Sequence, residues 1–140
     1  MTKTFRCSIV TPSESVFEGA VEYVSYQAWD GQQGIMVEQS PILAKLGIGS
    51  LRLDLTEGES RWYLLDGGFS QAGDGILTLL TENALAADSI SLEEAKAQLA
   101  EAAARVTISG EDRSRVDHDY QLALAKKSMA EMMSGRSKAN

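Results

Sequence analysis

The chain has 140 residues, enough for one ordinary domain or a small domain with an appendage. Its formal net charge of −7 argues against a nucleic-acid partner, because phosphate contacts require a basic surface. Its one cysteine cannot form an internal disulfide, and no apolar run approaches the roughly 20 residues that span a bilayer. The start lacks the pattern of a signal peptide, so we expect a soluble chain in a reducing cytosol.

The composition changes near residue 84. Ten of the twelve glycines lie at or before Gly75, and thirteen of the seventeen alanines lie at or after Ala84. Charge is also uneven, since residues 1–83 carry eleven acidic and five basic side chains whereas residues 84–140 carry nine and eight. We therefore predict a β domain over residues 1–86 and a helical segment over residues 87–140.

The first part of the chain reads as short strands. "TFRCSIV" places Phe5, Cys7 and Ile9 on one face, "SVFEGAVEYVSYQ" predicts one or two strands, and "SLRLDL" alternates most regularly. "RWYLLD", "FSQA" and "ILTLL" follow, the last two joined by a Gly-Asp-Gly hairpin turn. Turns every 8 to 12 residues favour an antiparallel sandwich or barrel, and no stretch has the βαβ spacing of a parallel sheet.

The second part reads as two helices. Ser91 and Glu94 have the spacing of a capping box, which predicts a helix start. Leucine and valine then recur every seven residues, at Leu92, Leu99 and Val106. Glycine breaks the pattern at residue 110, and a second helix is predicted from about residue 111 to a glycine cap near residue 135. A short loop between them predicts an antiparallel helical hairpin.

The second helix carries two apolar stripes on opposite sides. The first consists of Val116, Tyr120, Ala123 and Leu124, and the second of Leu122, Ala125, Met129, Met132 and Met133. A hairpin contact needs only one stripe. The other either packs on the β domain or faces an exchangeable partner.

Groups for catalysis or metal binding are sparse. His118 has no second histidine or cysteine at a ligand spacing, and Cys7 has no evident base to activate it. No glycine-rich phosphate loop precedes a helix. The residues therefore indicate a non-catalytic protein, and one interpretation is a free-standing β-sandwich that binds a ligand or acts as an adaptor, with the hairpin as a lid.

Three motifs occur in the order and spacing of a known family. They are F-x-G-x-V at Phe17, Gly19 and Val21, the frame of a G-I-L-P-x-H-A-P-L-L stretch at Gly34, Ile35, Pro41 and Leu43, and G-G-F at Gly67, Gly68 and Phe69. Over nearly its whole length the chain resembles the epsilon subunit of bacterial and chloroplast F-type ATP synthases, the equivalent of the mitochondrial delta subunit.

The resemblance implies a fold and a place in a machine. The fold is an N-terminal antiparallel β-sandwich of about ten strands followed by a C-terminal antiparallel α-helical hairpin. The sandwich is expected at the foot of the central stalk, against the gamma subunit and the polar loops of the c-ring, where it couples proton or sodium flow to ATP synthesis. The mobile hairpin is expected to extend towards the catalytic beta and alpha subunits and to inhibit ATP hydrolysis. The complex would hold the chain peripherally at the cytoplasmic face of the cell membrane.

The resemblance also implies a c-ring-facing loop, and there the chain departs from the family. Val37, Glu38, Gln39 and Ser40 replace the usual Pro-Gly-His-Ala, and Gln32 stands where many members carry an acid. We expect the docking loop at Asp30, Gln32, Glu38, Gln39 and Ser40.

Some members of the family bind ATP in the hairpin through an I/L-D-x-x-R-A motif. Here the motif's aspartate is Ser91 and its arginine is Glu94, and an acid repels a polyphosphate. We therefore expect no ATP binding and no cofactor.

Basic residues collect near the end of the second helix. They are Lys126, Lys127, Arg136 and Lys138. This basic tip either meets an acidic surface of the catalytic head or is a solvated helix end complementing the helix dipole.

Overall fold

The computed structural model describes residues 4–27, 33–36, 42–106 and 113–139. The chain divides into two compact units, Met1–Ala86 and Ala87–Asn140, which are described separately. Within the described ranges, no helix combines the length and the apolar character needed to cross a membrane.

The first unit is a β domain. Its strands are β1 (Phe5–Val10), β2 (Ser15–Gln27), β3 (Gln33–Met36), β4 (Ile42–Leu55), β5 (Ser60–Gly73), β6 (Ile76–Leu80) and β7 (Ala84–Ala86). Two of them are longer than their sequence patterns suggest. "RWYLLD" and "FSQA" belong to the single strand β5, and "SLRLDL" is the C-terminal part of β4. The described residues thus contain seven strands, and the expected total of about ten remains a prediction.

The sheet closes on itself. Around the ring β1 pairs with β6, β6 with β5, β5 with β4, β4 with β2, and β2 again with β1. Outside this ring, β3 pairs with β2, and β7 pairs with β5. The expectation of a wholly antiparallel domain is wrong at one pair, because β1 and β6 run parallel. The reason is topological: alternating directions cannot be kept around a ring of five strands, so at least one neighbouring pair must be parallel.

The core lies inside this closed sheet. Phe5, Cys7 and Ile9 all point inward from β1, as the alternation predicts. Phe17 and Val21 are both buried on β2, with a shift of the ladder register just after Val21. Such an irregularity bends a strand, which allows long strands to follow a curved sheet.

The turn between β5 and β6 confirms the hairpin prediction. Asp74 and Gly75 both have positive φ, 54° and 75°. This combination belongs to the type I′ turn, whose twist matches that of the flanking strands.

The second unit contains helices α1 (Leu92–Val106) and α2 (Arg113–Ala139). The Glu94 N–H donates a hydrogen bond of 3.3 Å to Ser91 Oγ, so Ser91 caps α1 as expected. The expected end of α2 at Gly135 is wrong, since the helix continues to Ala139. An exposed glycine inside a helix costs about 1 kcal/mol, which lowers helix stability without forcing the helix to end.

Candidate functional site

Three large apolar side chains are exposed on three neighbouring strands of the β domain. Phe69 on β5 and Leu80 on β6 are direct cross-strand partners, and they are 50% and 47% exposed. On β4, Lys45 is the partner of Phe69, and Leu43, two residues earlier on the same face, is 70% exposed. Neighbouring exposed apolar groups of this size are typical of a surface that another molecule covers.

A groove runs beside these side chains. It has a volume of about 440 Å³ and is lined by Val10, Thr11, Pro12, Gly68, Phe69, Leu80, Thr81 and Glu82. Leu43, Phe69, Leu80 and this groove are called the apolar face below. Its lining contains no cluster of convergent polar groups, so it suits a protein surface better than a polar small molecule.

Gly68 makes the apolar face possible. Its φ is +112°, and a Cβ at this position would lie only 1.9 Å from the Leu80 carbonyl oxygen. At this point β5 changes its partner from β7, which ends its ladder at Leu65, to β6, which begins pairing at Phe69. The glycine therefore lets the end of β6 cross close enough to place Leu80 beside Phe69.

The two side chains considered above for metal binding or catalysis are Cys7 and His118. No group of three or more histidine, cysteine or acidic side chains within them could hold a metal ion. Cys7 is fully buried, and desolvation raises the pKa of its thiol to about 12, so it stays protonated and unreactive. His118 is partly exposed on α2, with Nδ1 3.6 Å from Asp119 Oδ1.

The seam between the two helices is built mainly from alanine. Ala95 and Ala102 on α1 and Ala123 on α2 are almost completely buried, whereas Leu92 and Leu99 are only half-buried. A cavity of about 160 Å³ lies between the helices, with Ala102 and Ala123 in its lining. Small side chains and a cavity that is open to solvent leave little dispersion energy to hold the helices together.

Two polar contacts cross the seam. Arg105 Nη1 donates to Asp119 Oδ2 at 3.2 Å, and Lys126 Nζ donates to Gln98 Oε1 at 3.3 Å. From the first contact to the second, the chain moves seven residues back on α1 and seven forward on α2, so the helices run in opposite directions. We call this pair of contacts the clasp.

The residues of the two apolar stripes expected on α2 differ in burial and in whether they face α1. Leu122 and Ala123 belong to different stripes, yet both line the cavity against α1. Met129 is buried, and Val116, Tyr120 and Met133 are half-buried. Leu124 is exposed. The α1-facing side of α2 therefore lies between the two stripes, which their angular positions alone did not indicate.

Several expected site residues lie outside the described residues. These are the c-ring-facing loop residues Asp30, Gln32, Glu38, Gln39 and Ser40, together with the side chains of Val106, Arg136 and Lys138. Of the basic tip, Lys126 and Lys127 are half-buried, and Lys126 is engaged in the clasp.

Sequence reasoning missed the apolar face and the clasp. A signal for the first was present in "ILTLL", because Leu77 and Leu79 point inward while Ile76 and Leu80 point outward. A strand that is apolar on both faces is typical of one that is covered on both faces. The clasp gave no comparable signal, since its partners are far apart in the sequence.

The family model described as "ATP synthase, Delta/Epsilon chain, beta-sandwich domain" matches residues 4–87. The chain belongs to this family. An ATP synthase epsilon chain of Rhodopirellula baltica is 35% identical over 71% of this chain and 77% of its own length. That of Desulforamulus reducens is 34% identical over 90% of this chain and 93% of its own. A sodium ion specific epsilon chain of Propionigenium modestum is 27% identical over 93% and 89%.

Solved structures give the same fold. A chain of the Euglena gracilis mitochondrial ATP synthase, in an assembly of OSCP, F1 and c-ring, has a TM-score of 0.78 at 18% identity, with 87% of this chain and 78% of that chain covered. A chain of the Tetrahymena thermophila mitochondrial ATP synthase central stalk and c-ring has a TM-score of 0.61 at 12% identity, with 89% and 95% covered. Membership of the epsilon chain family makes this chain a non-catalytic subunit of an F-type ATP synthase, a membrane-associated complex. The free-standing ligand-binding alternative is not retained.

Proposed function

We propose that this epsilon chain forms the foot of the central stalk, where its β domain docks on the gamma subunit through the apolar face. The observation that carries this is the exposed cross-strand pair Phe69 and Leu80, with the exposed Leu43 on the neighbouring strand β4. Burying such side chains yields about 25 cal/mol per Å² of apolar surface, which favours a lasting contact over a transient one. A rotor subunit needs a lasting contact, because it must transmit torque.

The second docking surface is the loop that faces the c-ring. Its proposed residues are Asp30, Gln32, Glu38, Gln39 and Ser40, chosen from the resemblance to the family. Through this loop the chain would lie peripherally at the cytoplasmic face of the membrane and couple ion flow to ATP synthesis. Because the chain lacks the family's histidine here, a matched change is expected on the c-ring loop.

The helical unit is proposed to act as a brake on ATP hydrolysis. Its alanine seam gives a weakly held hairpin, as a segment with two alternative partners requires, since their docking energies must nearly cancel. The basic tip at Lys126, Lys127, Arg136 and Lys138 would meet an acidic surface of the catalytic beta subunit. No nucleotide is proposed for the hairpin, because Ser91 and Glu94 replace the phosphate-binding motif.

The test is reconstitution of the source enzyme. The subunit is stripped from the ATP synthase and replaced by the full chain or by a chain that ends at Ala87, and both ATP hydrolysis and ATP-driven ion pumping are measured. We expect both versions to restore pumping and only the full chain to lower hydrolysis. Equal hydrolysis with the two versions would contradict the brake, and failure of either to bind the stripped enzyme would contradict the docking role.

A further inference from the structure

The clasp lies in the alanine-lined part of the helix seam. All four of its residues line the cavity between α1 and α2, together with Glu101, Ala102, Leu122 and Ala123. Around the cavity the buried Ala102 and Ala123 fill little space, and the half-buried Leu122 is the one large apolar side chain in the lining. Directed polar contacts therefore add to the limited apolar packing that resists separation of the helices at this point.

The Arg105–Asp119 ion pair is the stronger part of the clasp. Both partners are only partly exposed, with 42% and 35% of their side-chain surface accessible, so solvent screens the pair less than it screens a fully exposed one. The second contact, from Lys126 to the neutral Gln98, is longer and exposed. Polar pairs at a helix interface also fix its register, because a shifted register leaves them without partners.

We propose that the Arg105–Asp119 pair is the latch of the hairpin, which holds α2 on α1 and keeps Lys126 engaged with Gln98. Release of the latch separates the helices at the seam and breaks the Lys126–Gln98 hydrogen bond, so the Lys126 side chain is no longer held against α1. In the open hairpin this lysine can turn towards an external partner. The latch is a property of this chain alone, whereas its consequence for ATP hydrolysis rests on the proposed braking function.

The test measures opening of the hairpin by the protection of a buried thiol. In the full chain, Ala102→Cys places a thiol in the seam, and its rate of alkylation relative to an exposed cysteine reports the open fraction even when that fraction is small. Cys7 is fully buried, and alkylation of the unmodified chain gives its background. The latch is then removed by Asp119→Asn or, from the other side, by Arg105→Gln.

We expect each substitution to raise the alkylation rate about two- to fivefold, the range for loss of a partly exposed ion pair. The double variant should be no faster than the faster single variant, because both substitutions remove one shared interaction. Asp117→Asn is the matched control, with the same charge change on an exposed position of α2, and should leave the rate unchanged. Circular dichroism checks that each variant keeps its helices.

Two outcomes would overturn the latch. One is an unchanged alkylation rate in both single variants, and the other is rates that multiply in the double variant. ATP hydrolysis by the reconstituted enzyme then tests the proposed braking function separately from the latch. If Asp119→Asn speeds alkylation and also lowers hydrolysis, both the latch and the braking function are supported. If it speeds alkylation with hydrolysis unchanged, the latch stands and the proposed braking function fails.

Discussion

Cys7 shows how the fold changes the chemistry of a single residue. It lies on the inward face of β1 between Phe5 and Ile9, and burial raises the pKa of its thiol from 9.0 to about 12. The direction follows from the cost of placing a thiolate in an apolar core. In a folded chain this thiol is therefore a small apolar group and not a nucleophile.

The raised pKa predicts a pH dependence of stability. Below pH 9 the thiol is protonated in both the folded and the unfolded chain, so it adds no pH dependence. Between pH 9 and about 12 only the unfolded chain ionises, so the free energy of unfolding falls, by at most about 1.4 kcal/mol per pH unit. The free energy of unfolding, measured in urea, should differ by a constant amount between the natural chain and Cys7→Ala below pH 9. Above pH 9 the two values should approach each other. A constant difference up to pH 11 would contradict the prediction.

At the scale of elements, two glycines have opposite roles. Gly68 carries a φ of +112° at the point where β5 changes partners, and a side chain there would strike the backbone of Leu80 and Thr81. Gly135 lies inside α2, with no atom within 4 Å of the position that a Cβ would take. The first glycine is required by the close approach of two strands, whereas the second only weakens a helix.

The two glycines predict opposite effects of one substitution. Gly68→Ala should lower the free energy of unfolding by more than about 3 kcal/mol or prevent folding, because the clash is with backbone that cannot rotate away. Gly135→Ala should raise the helical content and the stability of α2 by up to about 1 kcal/mol. Circular dichroism with thermal unfolding measures both, and a tolerated Gly68→Ala would disprove the geometry described for β5.

For the whole molecule, the distribution of exposed apolar surface is the informative feature. Phe69 and Leu80 line a groove and Leu43 lies on the neighbouring strand β4, whereas Ile76 is 51% exposed at the other end of β6. Leu80 and Ile76 are of similar size and exposure on the same strand. Comparing substitutions at these two residues therefore shows whether binding depends on the position of an apolar side chain or only on its apolar character.

Docking of the chain on the enzyme should depend on which exposed apolar side chain is substituted. Leu80→Asn and Phe69→Asn should weaken binding of the chain to the stripped ATP synthase at least tenfold, because central apolar contacts carry most of the energy of an interface. Ile76→Asn is the control and should change the affinity less than about threefold. Equal weakening by Leu80→Asn and Ile76→Asn would exclude the apolar face as the docking surface. Affinity is measured by titrating the labelled chain.

The sequence alone determined the local elements. Alternation placed Phe5, Cys7 and Ile9 inside β1, Gly-Asp-Gly gave the hairpin turn, and Ser91 gave the start of α1, because each depends on interactions within a few residues. The change from glycine to alanine likewise marked the passage from strands to helices.

The tertiary structure alone decided how distant elements meet. The parallel pairing of β1 with β6 follows from closing a ring of five strands, which no local pattern records. The exposure of Phe69 and Leu80 depends on the crossing at Gly68, and the Arg105–Asp119 pair depends on the register between two helices. Apolar character and charge are properties of single residues, but exposure and pairing are properties of the packing between elements, so only the folded chain fixes them.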